Sequence, residues 1–138
     1  MASEKILIVD DEKDFITTVK FFLEKNGYEV ANAETGAEAI EKSKDTPDII
    51  LLDLRLPDMT GFDILHKLHM NPATQRIPVI ILTASADIKF LREAQDLRAT
   101  DYLMKTESFE RILASVKKYI GLYKNGRDIF SEDNKTEL

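Results

Sequence analysis

Polar side chains suited to phosphoryl chemistry stand directly after short apolar runs of the sequence. The first run is followed by two acids, and later runs are followed by an acid, a hydroxyl and a lysine: Asp10, Asp11, Asp53, Thr83 and Lys105. Three carboxylates brought together repel one another unless a cation relieves them, and an all-oxygen ligand set suits Mg²⁺. A lysine and a threonine beside that ion would hold the oxygens of a phosphoryl group, which a carboxylate can accept.

Taken singly, each of these residues also has an ordinary structural role. The pair of acids could be a solvated strand end, the later aspartate a loop cap and the lysine a surface residue. Thr83 could cap a helix, although Asp87 is better placed to do so. An EF-hand is excluded, because Phe15 and Phe21 stand where its loop requires Gly and Glu. The joint placement of the set after four predicted strands is therefore the specific signal.

The elements that position these residues can be predicted from the hydrophobic pattern. Short runs of branched apolar residues predict strands buried on both faces of a parallel sheet, over residues 6–9, 49–52, 79–82 and 102–104. Residues 28–31 are half polar, which is typical of an edge strand. Helical patterns lie over residues 13–25, 36–44, 62–69, 87–97 and 107–123. This alternation predicts a (βα)5 fold of the α/β class, in which ligands bind beyond the carboxyl ends of the strands.

Composition points to one acidic domain. The 138 residues fit a single domain, and the net charge of −6 argues against nucleic-acid and membrane-surface partners. Disulfides and thiol chemistry are excluded because the chain has no cysteine. We find no signal peptide or spanning segment and expect a cytoplasmic protein. We assign residues 1–123 to the domain and residues 124–138 to a polar tail or the start of a linker.

In their order along the chain, the motifs resemble those of response regulator receiver domains from about residue 4 to residue 122. They read ILIVDDE at 6–12, LLDLRLPDMTG at 51–61, VIILTA at 79–84 and DYLMK at 101–105. The resemblance implies a flavodoxin-like, doubly wound five-stranded parallel sheet in the order 2-1-3-4-5. It also implies that Asp53 is the phosphoacceptor. Asp11, Asp53 and the main-chain carbonyl of Arg55 would bind Mg²⁺ directly, and Asp10 would bind it through water.

The same resemblance implies a signalling cycle. Thr83 and Lys105 would contact the phosphoryl oxygens, and Thr83 and Tyr102 would form a switch. The donor would be a phosphohistidine on a sensor histidine kinase or a histidine phosphotransfer protein, and the downstream effector is not identified. Catalysis would be limited to the domain's own phosphorylation and dephosphorylation, so the chain is not expected to be an enzyme. We expect a monomer or weak dimer that signals through helix four, strand five and helix five.

Some positions depart from the family pattern, and two others are positions that affect the rate of dephosphorylation in the family. Receiver domains usually have a proline after the lysine, whereas Thr106 follows Lys105 here. Because a cis non-proline bond costs about 2.5–4 kcal/mol, we predict a trans bond and a slightly altered start of the fifth helix. Arg98 stands where the family usually has glycine. Arg55 and Ser85, two residues beyond the acceptor and the switch threonine, occupy positions that tune dephosphorylation in the family.

Other functions are less compatible with the sequence. A small phosphohydrolase with an aspartate nucleophile would place a second acid where Arg55 stands. A flavodoxin-like cofactor binder needs a phosphate-cradling loop after the first strand, where Asp10, Asp11 and Glu12 would repel a phosphate. A degenerate receiver that only binds partners is disfavoured because the whole polar set is present.

Two residue pairs outside the motifs have a structural and a functional interpretation. His66 and His69 could form half of a metal site, but we predict exposed helix residues. Ile16 and Phe21 are predicted to fall off the core stripe of the first helix, which consists of Phe15, Val19, Phe22 and Leu23. They could be isolated exposed apolar residues or part of a partner surface.

Overall fold

The computed structural model describes residues 3–84 and 88–125, apart from the side chain of Ile88. Strands and helices alternate as predicted: β1 Lys5–Val9, α1 Lys13–Lys25, β2 Glu29–Ala33, α2 Gly36–Ser43, β3 Ile49–Leu52, α3 Gly61–Met70, β4 Val79–Thr83, α4 Ile88–Asp96, β5 Asp101–Met104 and α5 Phe109–Lys124. The strands are parallel and lie in the order β2-β1-β3-β4-β5. This confirms the predicted α/β fold and its order, with the half-polar strand β2 at an edge.

The core consists of two layers separated by the sheet. Successive strand residues point to opposite faces. Leu7, Ile50 and Ile81 therefore pack under α2, α3 and α4, whereas Ile8 and Leu51 pack under α1 and α5. Because both faces are covered, the strands are apolar throughout, and no residue of β1 after Lys5, of β3 or of β4 is exposed. Within the described residues, no helix combines the length and the apolar character needed to cross a bilayer.

Hydroxyl caps set the start of several helices. The Thr60 side chain accepts the Asp63 N–H while the Asp63 carboxylate accepts the Thr60 N–H, and together they form a capping box for α3. The Ser108 hydroxyl accepts the Arg111 N–H at 3.1 Å, so α5 begins at Phe109 and not at residue 107. Lys124 is the last helical residue of α5, one residue beyond the predicted end of this helix. Most of the predicted tail, from residue 126 on, lies outside the described residues, as do Ser85 and Asp87.

The buried face of α1 differs from the predicted stripe. Ile16 is only 6% exposed and packs with Val19 and Leu23, whereas Phe15 is half-buried. The prediction for Ile16 is wrong because the spacing of Ile16, Val19 and Leu23 also follows a helical period, and neighbours on the sheet decide which period is buried. Phe21 is exposed as predicted, at 69%.

The backbone around β5 accommodates both departures from the family pattern. The Lys105–Thr106 peptide bond is trans, as predicted, like every other peptide bond of the described residues. Arg98 adopts a left-handed conformation with a φ of 63° at the end of α4. A residue with a Cβ is disfavoured in that region, where glycine is not.

Replacing Arg98 with glycine should therefore stabilise the protein. We expect the free energy of unfolding to rise by roughly 0.5–1 kcal/mol, since relief of the left-handed strain exceeds the added flexibility of the unfolded chain. Urea denaturation followed by circular dichroism would measure the change. Gln95→Gly in the preceding helix is the control and should lower the free energy of unfolding by about 1 kcal/mol. Equal destabilisation by both substitutions would contradict the strain at Arg98.

Candidate functional site

The predicted polar residues converge at one edge of the sheet. Strands β1, β3, β4 and β5 run in the same direction, so their carboxyl ends bring together residues far apart in the sequence. A cavity of about 420 Å³ opens there, and its walls include Asp11, Asp53, Thr83 and Lys105. Arg55 also lines the cavity, and its side chain is exposed. The structure thus brings these predicted residues together in one cavity at the switch point of the sheet.

Three aspartates form the acidic part of this site. One carboxylate oxygen from each of Asp10, Asp11 and Asp53 lies within 4.8 Å of the others. Asp10 and Asp53 are buried, at 1% and 6% exposure, whereas Asp11 is exposed. An all-carboxylate set that is open on one side fits Mg²⁺, which takes oxygen ligands and retains several waters. These three residues could therefore hold a Mg²⁺ ion.

The ammonium of Lys105 lies among carboxylates from two strand ends. Its Nζ is 2.7 Å from Asp10 Oδ2, 2.6 Å from Glu12 Oε1 and 3.4 Å from Asp53 Oδ2. The ring of Phe15 lies on another side, with its centroid 4.7 Å from Nζ. Sequence reasoning did not identify Glu12 or Phe15 as contacts of Lys105, because Glu12 and Lys105 are 93 residues apart and no motif links them.

The electrostatics of the site follow from burial and from these contacts. Burial and, to a smaller extent, the neighbouring charge of Asp10 raise the pKa of Asp53 to about 6, although Lys105 and the Leu54 N–H act to lower it. Burial likewise raises the pKa of Asp10, although Lys105 and the Glu12 N–H counteract it. Burial alone would lower the pKa of the Lys105 ammonium, but its hydrogen bonds to Asp10 and Glu12 and the charge of Asp53 raise it above the usual value. Asp53 is therefore a poorly compensated carboxylate that a cation would stabilise.

Gly61 packs directly against the backbone of the aspartate at the end of β3. A Cβ at Gly61 would lie 2.4 Å from the carbonyl oxygen of Asp53 and 2.9 Å from the Cα of Leu54. The Gly61 N–H donates to the Leu54 carbonyl at 2.9 Å, and the Leu54 N–H donates to Asp53 Oδ1 at 2.8 Å. The quoted motif contains Gly61, but sequence reasoning gave it no role. Its role is to let the start of α3 approach the site.

Asp58 ties the loop after β3 to a different helix. Its carboxylate accepts the N–H groups of Gly36 at 2.7 Å and Ala37 at 3.0 Å, at the beginning of α2. These N–H groups lower the pKa of Asp58 below its usual value. Met59 packs over Gly36, where a Cβ would lie 2.3 Å from the Met59 Cγ. The later part of the loop that carries Arg55 is thus anchored to the start of α2.

The predicted switch residues and the two histidines lie outside the acidic cluster. Thr83 is 3% exposed at the end of β4 and pairs with Met104 of β5 in the sheet register. Tyr102 is half-buried and packs at the edge of the layer that contains α4. His66 is exposed as predicted, but His69 is half-buried, and burial together with the charge of Arg98 lowers its pKa. Neither histidine belongs to the acidic cluster described above.

Comparison with known proteins agrees with the fold and with the family resemblance of the motifs. Residues 6–117 match the family model of the response regulator receiver domain. The chain is 35% identical over 126 residues to sporulation initiation phosphotransferase F of Bacillus subtilis, covering 91% of this chain and all of that protein. It is 34% identical over 116 residues to the transcriptional regulatory protein PhoP of Bacillus subtilis, covering 83% of this chain but only 48% of that protein.

Solved structures show the same relationship. The chain superposes with a TM-score of 0.83 and 29% identity on a CheY-like response regulator receiver domain protein from Methanospirillum hungatei, covering 91% of this chain and 99% of that one. Residues 6–117, which match the family model, contain the ends of strands β1, β3, β4 and β5, where the polar residues converge. The chain therefore belongs to the response regulator receiver domain family, the phosphorylated signalling module of two-component systems.

Proposed function

We propose that Asp53 accepts a phosphoryl group in a Mg²⁺-dependent reaction and that the donor is a phosphohistidine of a histidine kinase or a histidine phosphotransfer protein. The observation that supports this proposal most strongly is the set of groups around the Asp53 carboxylate. Its Oδ2 lies 3.4 Å from Lys105 Nζ, and it belongs to the acidic cluster with Asp10 and Asp11. A buried carboxylate between an ammonium and a cation site can act as a nucleophile toward phosphorus.

The chemistry assigns a task to each proposed residue. An Asp53 oxygen attacks phosphorus, the P–N bond to the donor imidazole breaks, and its electron pair remains on the ring nitrogen. Lys105 and Thr83 then hold phosphoryl oxygens by charge and hydrogen bonding. Asp11, Asp53 and the Arg55 carbonyl are proposed as direct Mg²⁺ ligands, with Asp10 reaching the ion through water. The bound ion supplies neutralisation of the charge that builds up during transfer.

Phosphoryl transfer from a phosphohistidine protein tests this function. The chain is mixed with a phosphorylated histidine phosphotransfer protein and Mg²⁺, and intact-protein mass spectrometry follows the gain of one phosphoryl group. We expect a product that hydroxylamine cleaves, as it does an acyl phosphate, and no product when a chelator removes Mg²⁺. A product that resists hydroxylamine, or one that forms equally well with the chelator, would contradict the proposal.

We further propose that Thr83 couples phosphorylation to the surface of α4, β5 and α5. A hydrogen bond from Thr83 to the phosphoryl group would draw the end of β4 inward, and Tyr102 would rotate into the vacated space. The two arrangements must differ by only a few kcal/mol for one ligand to shift them. The half-buried position of Tyr102 beside α4 supports this coupling.

The variant Thr83→Ala should still accept a phosphoryl group on Asp53. Phosphorylation should, however, change the surface of α4, β5 and α5 much less than it does in the wild type. Amide NMR with and without beryllofluoride, a phosphoryl mimic, would show small shifts in β5 and α5 of this variant, because the coupling hydroxyl is gone. Thr83→Ser retains the hydroxyl and should restore the shifts. Full shifts in Thr83→Ala would show that another residue carries the coupling.

We propose that the outer face of α1, where Phe21 is 69% exposed, contributes to the contact with the phosphodonor.

We propose that the chain is a monomer or weak dimer before phosphorylation and that it acts in the cytoplasm. We also propose that its only catalytic activity concerns its own phosphoryl group. Light scattering that showed a tight unphosphorylated dimer would contradict the proposed oligomeric state.

A further inference from the structure

The Lys105 ammonium has more carboxylate partners than the proposed reaction uses. Besides Asp10 and Asp53, it contacts Glu12 Oε1 at 2.6 Å, the shortest of its three contacts. Glu12 stands at the N-cap position of α1, yet its side chain makes no capping hydrogen bond there. The Glu12 carboxylate is therefore directed to the lysine and not to the helix that it begins.

A phosphoryl oxygen can bind Lys105 only if one of these contacts is released. An ammonium has three N–H donors and no more, and here three carboxylates surround it. The Phe15 ring lies against the same ammonium, 4.7 Å from Nζ, and restricts approach from that side. Binding of the phosphoryl group is thus an exchange of partners at Nζ.

Burial decides which partner is released. The Asp10 and Asp53 side chains are only 2% and 8% exposed, whereas the Glu12 side chain is 61% exposed. Removing the partner of a buried carboxylate leaves an uncompensated charge in the protein, which is strongly destabilising. Water can solvate the exposed Glu12 carboxylate instead, so releasing this contact costs less than releasing a buried carboxylate. Glu12 is the partner that is easiest to release.

We propose that Glu12 is a positioning residue that holds Lys105 at the mouth of the site and that a phosphoryl oxygen takes its place. This inference rests on the proposed function, since it requires a phosphoryl group on Asp53. The Glu12 contact competes with the phosphoryl group for the same N–H donor. Glu12 therefore sets how tightly the site binds a phosphoryl group, without contacting that group itself.

Beryllofluoride affinity at saturating Mg²⁺ tests the competition, followed by amide NMR. Glu12→Gln should bind beryllofluoride about two- to fivefold more tightly than the wild type, the amount expected for an exposed ion pair. Asp14→Asn removes another exposed carboxylate near the start of α1 and is the control, with an affinity within a factor of about two of the wild type. In a Lys105→Met background, Glu12→Gln should change the affinity by less than twofold.

The ¹⁵Nζ resonance of Lys105 distinguishes an exchange of partners at Nζ from simple charge repulsion between Glu12 and the phosphoryl mimic. Glu12→Gln should shift this resonance in the free protein, and beryllofluoride should bring the wild type and the variant to the same position. If the resonances remain apart, Glu12 is still bound and the exchange does not occur. An equal gain of affinity in the Lys105→Met background would also overturn the inference, because repulsion alone would explain it.

The same titration separates this inference from the proposed function. A wild-type protein that binds no beryllofluoride would overturn the assignment of Asp53 and the role of Glu12 together. A wild-type protein that binds it as tightly as Glu12→Gln would overturn the role of Glu12 alone.

Discussion

Replacing Asp53 with asparagine should abolish phosphorylation by acetyl phosphate in the presence of Mg²⁺. The amide has nearly the same shape as the carboxylate but is neither a comparable nucleophile nor a comparable ligand for a hard cation. Intact-protein mass spectrometry should detect no phosphoryl group on this variant under conditions that phosphorylate the wild type. Asp45→Asn, at an exposed aspartate outside the site, should be phosphorylated normally. Incorporation into Asp53→Asn at the wild-type rate would refute the assignment of the acceptor.

A loss of function through unfolding is not expected for Asp53→Asn, because the variant should be more stable than the wild type at neutral pH. The pKa of Asp53 is about 6 in the folded protein against 3.8 for the ordinary group, so ionisation of Asp53 opposes folding. This opposition is absent below pH 4, grows as the pH rises and is complete above pH 6. Thermal denaturation in the absence of divalent ions should thus show a higher midpoint for the variant at pH 7 and little difference at pH 4.

Replacing Gly61 with alanine should displace the backbone of Asp53 and so disrupt the site. The added Cβ would lie 2.4 Å from the Asp53 carbonyl oxygen and 2.9 Å from the Leu54 Cα, and both atoms belong to backbone that cannot rotate away. We expect the free energy of unfolding to fall by about 1–3 kcal/mol, as in other overpacked interiors. Because Asp53 must move, we also expect the affinity for beryllofluoride to fall at least tenfold, by the loss of well over 1 kcal/mol of binding free energy.

The control for Gly61 lies in α5. A Cβ at Gly121 would meet no atom within 4 Å, and this residue is in the interior of a helix. Gly121→Ala should therefore raise the free energy of unfolding by roughly 0.5–1 kcal/mol and leave beryllofluoride binding unchanged. Urea denaturation and the same titration measure both variants. Wild-type affinity in Gly61→Ala would show that the close approach of α3 does not position Asp53.

The element order and the members of the polar set could be predicted from local pattern. Uninterrupted branched apolar runs indicated strands covered on both faces, and the structure buries all four residues of β3 Ile49–Leu52. The residues after the strands met because parallel strands share a carboxyl edge, a geometric rule that needs no side-chain detail. Element ends were less accurate, as at α5, because a single hydroxyl on Ser108 decides where the helix begins.

The sequence by itself therefore predicted the α/β class, the order of the elements along the chain and the polar residues at the cavity, because hydrophobic periodicity is a local property. The strand order in the sheet was implied by the family resemblance and not by periodicity. Only the tertiary structure decided which partners those residues have. It directed Lys105 to Glu12 across 93 residues, brought Gly61 against the backbone of Asp53, and turned Ile16 toward the core. Such contacts depend on distances of a few ångströms between elements whose packing fixes them, and no spacing along one chain segment encodes those distances.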